Sequence, residues 1–77
     1  MANIIPLNTL ANGKSGLVTS ILSEGLTRRR LLDLGLVPGS KVEVIQRSPS
    51  GDPTAFNIRG AIIALRNEDA KQILVKI

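Results

Sequence analysis

The densest charge in the chain is the run Arg28-Arg29-Arg30, and three adjacent guanidiniums can do one kind of chemistry: they hold anions. A guanidinium stays charged at any physiological pH and presents a planar fork of donors that matches a carboxylate or a phosphate. Part of that capacity can be spent locally. On a helix, Asp33 stands four residues after Arg29 and three after Arg30, and both spacings bring side chains together. One carboxylate does not neutralise three arginines, so one or two remain for acidic groups on a partner protein, where Arg is enriched. An arginine finger for a partner NTPase is a bolder form of the same idea, disfavoured because a lone helical arginine seldom plays that role. Leu26, Leu36 and Val37 flank the arginines near the helix ends. They either fold back onto the body of the domain or form an apolar patch ringed by positive charge. The candidate partner-binding residues are therefore Leu26, Arg28, Arg29, Arg30, Leu36 and Val37.

Other chemistry is scarce. With no His and no Cys, serine- and cysteine-protease constellations and zinc sites cannot be assembled. The six acids are Glu24, Asp33, Glu43, Asp52, Glu68 and Asp69, and only the last two are adjacent, which leaves no clustered carboxylates for a hard cation. The glycines form neither phosphate-binding fingerprint. The reading is a non-enzymatic protein without cofactor or resident metal. The net charge of +4 admits acidic partners, nucleic acid included. However, single-strand binders stack bases on aromatics, and one Phe with no Tyr or Trp cannot provide such platforms. Nucleic-acid binding is kept as a disfavoured alternative.

These side chains must be positioned by a small body. A chain of 77 residues is expected to form one domain spanning residues 1–77. Its apolar residues are almost all aliphatic, with 11 Leu, 9 Ile and 5 Val, a composition that suits half-buried pleated sheet. Short apolar segments alternate with Gly, Pro, Asn and Ser clusters. Residues 4–16 read as an irregular lead-in broken at Pro6 and Asn12-Gly13. Strands are expected over Leu17–Leu22, Lys41–Arg47, Thr54–Ile58, Ala61–Leu65 and Ile73–Ile77. In the first, Leu17, Thr19 and Ile21 share a face; in the second, Val42 and Val44 oppose Lys41, Glu43 and Arg47.

The one helix is expected over Gly25–Leu34, with Leu31, Leu32 and Leu34 facing inward and Leu26 off that stripe. Gly35 provides the left-handed stop and Leu36 the returning contact, followed at once by a type II turn through Pro38-Gly39. A helical turn over 68–72, capped by Asn67, precedes the last strand. Five strands, one helix and one turn close into a small, mainly β barrel. The last strand, guarded only by Lys76, leaves an edge through which copies could weakly self-associate as a scaffold. The longest apolar run, Ala61–Leu65, is too short to cross a bilayer, so membrane association would go through a partner.

The run Arg29-Arg30-Leu31-Leu32-Asp33-Leu34-Gly35-Leu36-Val37-Pro38-Gly39 resembles the helix-and-turn signature of FeoA-type domains. Gly13, Gly16, Val18 and Ile21 fit the same pattern, as do Gly60, Ala64-Leu65-Arg66, the turn Asn67–Ala70 and Ile73-Leu74-Val75. The resemblance implies an SH3-like five-stranded barrel with one short α-helix. It also implies a cytoplasmic bacterial accessory protein of ferrous iron uptake that binds FeoB, a membrane transporter with a cytoplasmic GTPase domain, and modulates its activity or assembly. The aromatic-lined groove with which SH3 domains take proline-rich peptides cannot be built from one Phe.

Overall fold

The structure, a computed structural model, describes residues 3–77. Six antiparallel strands form one sheet in the spatial order β1-β6-β2-β3-β4-β5. They are β1 (Ile4–Pro6), β2 (Ser15–Ile21), β3 (Lys41–Arg47), β4 (Thr54–Ile58), β5 (Ala61–Leu65) and β6 (Ile73–Lys76). Helix α1 (Gly25–Asp33) joins β2 to β3, and the single turn α2 (Asn67–Ala70) joins β5 to β6.

The five expected strands are all present, and β1 is a sixth. Ile5 of the lead-in pairs with Val75. A 3-10 turn at Leu7–Thr9 follows and seats Leu7 and, just beyond it, Leu10 in the core. Two hydrophobes in an irregular stretch carry no periodicity, which is why this part of the core is invisible to pattern reading. The sheet supplies most of the aliphatic core and is not closed by pairing between β1 and β5. The last strand is not an edge: β6 is hydrogen-bonded to β1 on one side and β2 on the other, which removes it as a route to self-association.

Two β-bulges correct the expected strand faces. Between Val18 and Ser20 the β2–β6 register shifts, so Thr19 is the extra residue and its hydroxyl donates to the Leu74 carbonyl at 3.1 Å. Val18 and Ile21 are thereby both buried, while Leu17 stays exposed. One inserted residue reverses the alternation of everything beyond it. The second bulge lies between Val44 and Gln46. It leaves Ile45 exposed and turns Arg47 to the side of its cross-strand neighbour Thr54, which is buried. Arg47 is therefore not on the face of Lys41 and Glu43.

The helix stop forms as expected. Gly35 has φ +104°, its N–H donates to Leu32 O at 3.0 Å, and the Leu36 N–H donates to Leu31 O at 3.2 Å. Gly39, at φ +91°, and the Ser40 N–H bond to Val37 O complete the tight turn that launches β3. Leu31 and Leu36 are fully buried on either side of the stop, so the stop and the core specify one another. Asn67 is not the cap of α2. It is the first residue of the turn, and its N–H is received by Asp52 Oδ1 at 2.9 Å, from the polar loop 48–53.

Candidate functional site

Helix α1 presents the arginine run, and its three members have different fates. Arg28 turns back, and its Nη1 donates to the Ile21 carbonyl at the end of β2, at 2.8 Å. This bond offsets a positive charge in the first helical turn, where the dipole disfavours it. Arg30 reaches across to α2, where its Nη2 lies 2.9 Å from Asp69 Oδ2. The expected ion pairs with Asp33 do not form, because a longer-range carboxylate engages Arg30 and no ion pair in the described residues involves Arg29. Arg29 is thus the member of the run left without a hydrogen-bond partner among the described residues.

The flanking aliphatics divide as sharply. Leu26 is 88% exposed, an extreme value for a leucine. It stands three residues before Arg29 and four before Arg30, so the three share one face of the helix. Leu36, by contrast, is 0% exposed. It cannot touch a partner, because the Schellman stop drives it into the core. Val37 is half-buried at the start of the tight turn. What remains of the six candidates as a free surface is Leu26 with Arg29, next to two arginines already engaged within the fold; Val37 lies beyond the other end of the helix.

A second feature was not legible as a site. A groove of about 610 Å³ runs over the outer ends of β3 and β4, lined by Pro38, Gly39, Ser40, Lys41, Glu43, Asn57, Arg59 and Gly60. In the sequence Arg59-Gly60 reads only as a reversal. The signal that could have marked it is an arginine at the first turn position of a hairpin, where Asn, Asp or Gly is usual.

Among the described residues no three of His, Cys, Asp and Glu gather as a metal-binding group, and no helix is long and apolar enough to cross a membrane. The six-stranded antiparallel sheet, the single helix between its second and third strands and the helical turn before its last define a small SH3-like β domain. The FeoA domain family matches residues 5–77, and the chain belongs to that family. It is 32% identical over 71 residues to the Fe(2+) transport protein A/Fe(2+) transporter FeoB fusion protein of Porphyromonas gingivalis, covering 92% of this chain but only 8% of that protein's length. The solution structure of FeoA from Chlorobium tepidum superposes with a TM-score of 0.86 at 39% identity, over 92% of this chain and 69% of that one. A zinc-complexed FeoA of Stenotrophomonas maltophilia, described as a unique prokaryotic SH3 domain protein, superposes with a TM-score of 0.81 at 30% identity, over 90% of this chain and 86% of that one.

Proposed function

We propose that this protein is a non-catalytic accessory of ferrous iron uptake that binds the cytoplasmic part of a FeoB transporter and modulates its activity or assembly. The observation that carries the reading is the Porphyromonas gingivalis fusion, in which a relative of this chain and the transporter are one polypeptide. Covalent linkage holds two modules at a high effective concentration, which benefits partners that act together. Family membership supports the same reading.

The contact is the face of α1 that carries Leu26 and Arg29. An isolated leucine at 88% exposure gains by being covered, and an unpaired arginine beside it supplies a fork for a carboxylate. The test is retention of the purified protein on the immobilised soluble cytoplasmic part of FeoB from the same organism. The wild type is retained, and a Leu26→Ser/Arg29→Glu double variant is retained at least about tenfold less well. Failure of the wild type to bind at micromolar concentration sinks the partnership. Equal retention of the double variant moves the contact off this helix face.

A further inference from the structure

The groove at the ends of β3 and β4 lies apart from the Leu26–Arg29 face and carries its own logic. Val42 and Ile58 are cross-strand partners, so Lys41, one residue before, and Arg59, one residue after, are brought to the same end of the strand pair. Both line the groove, and neither takes part in an ion pair among the described residues. Glu43 and Asn57 are also cross-strand partners and line the same groove. The Asn57 carboxamide is already used, its Oδ1 accepting the Gly60 N–H at 3.0 Å.

Arg59 is held there at a cost. Its φ is +53° and that of Gly60 is +90°, the two left-handed positions of a type I′ hairpin turn. A long side chain in that region is strained, and such outliers cluster at binding sites. The stem is also packed. A β-carbon placed on Gly35 would lie 3.3 Å from Arg59 Cδ and 3.8 Å from Cγ, so the bare backbone of the helix stop forms the surface on which the arginine rests. A fixed stem, a strained backbone and an unpaired head describe a pre-positioned cation. Lys41 adds a second charge of the same sign, and like charges at one strand end repel unless an anion lies between them.

We propose that this groove docks an acidic peptide segment of a partner protein, with Arg59 gripping a carboxylate and Lys41 reinforcing it. Glu43 decides the class of ligand. A polyphosphate or nucleic-acid strand entering the groove would face its carboxylate, whereas a peptide can present an amide N–H or a basic side chain there and its own carboxylate to Arg59 and Lys41. The proposal does not depend on which protein supplies the segment.

The experiment is amide and arginine Nε–H chemical-shift titration of the protein with a capped octapeptide of alternating Ser and Glu. Arms with inorganic phosphate and with the corresponding Ser-Lys peptide run in parallel. Saturable shifts at Gly39, Ser40, Arg59 and Gly60 with the Glu peptide alone are expected. Arg59→Asn should weaken the binding by about tenfold or more. Asn suits the left-handed turn position, so this variant should keep or raise the melting temperature, and a loss of binding is then not a loss of fold. Lys41→Gln should weaken binding less, and Lys71→Gln, at an exposed cation outside the groove, should leave it unchanged. Absence of saturable shifts with the Glu peptide, equal affinity for phosphate, or undiminished binding by Arg59→Asn would each overturn the proposal.

Discussion

The guanidinium of Arg47 donates to the main-chain carbonyl of Leu10 at 2.8 Å, bridging the end of β3 to the lead-in segment that plugs one side of the core. The same nitrogen donates to Asn8 O, also at 2.8 Å. One cation thus satisfies two carbonyls of a turn whose other bonds include Leu10 N–H to Leu7 O and the Thr9 hydroxyl to Pro6 O. The bulge at Ile45 makes this possible, because without the inserted residue Arg47 would face solvent.

Removing that cation should therefore unseat the plug. Arg47→Met keeps the apolar stem and loses both donors, and is expected to destabilise the fold by about 1.5–3 kcal/mol. A urea-denaturation midpoint measures the loss. A change within error of zero would mean that water serves the two carbonyls equally well.

The cap supplied by Asp52 makes a separate prediction. Asp52→Ala leaves the Asn67 N–H without its acceptor and should cost about 0.5–2 kcal/mol, while Asp52→Asn should recover most of it. Amide exchange at Asn67 should accelerate in the alanine variant before exchange in the sheet core does. Uniform acceleration across the sheet would argue against a local cap.

Gly16 is required by space rather than by a turn. A β-carbon there would lie 3.1 Å from both the Lys76 carbonyl oxygen and Val75 Cβ, on the neighbouring strand β6. Gly16→Ala gains strand propensity in principle, yet the clash should make it destabilising by about 1–3 kcal/mol. A melting temperature equal to or above that of the wild type would show that β6 can retreat freely.

The Arg30–Asp69 ion pair is the opposite case. Its partners are 56% and 18% exposed at their side chains, so solvent screens most of the attraction. A double-mutant cycle with Arg30→Gln and Asp69→Asn should give a coupling of about 0.2–1 kcal/mol, decreasing with added salt. A coupling several times larger would mean that the pair also locks α1 to α2.

Local features of the chain were legible without the fold. Gly35 and Leu36 announce the helix stop, and Pro38-Gly39 the turn after it, because these depend on which residues tolerate φ above zero and on contacts only a few positions apart. The β3, β4 and β5 boundaries and the inward set Val42, Val44, Phe56 and Ile58 follow from alternation alone. The arginine run and the absence of His and Cys are equally plain in the sequence.

What only the tertiary structure decided is everything set by distant segments. Both bulges depend on how a neighbouring strand packs, and each reverses a face that strict alternation assigns the other way. Asp69 and Asp52 became partners of Arg30 and Asn67 by approach through space, across separations of 39 and 15 residues. The same holds for Leu36 and Leu26, one just past the end of α1 and the other within its first turn. One is sealed in the core by the turn that follows it and the other is left in solvent, because burial is decided by what folds over a residue and not by the residue's own type.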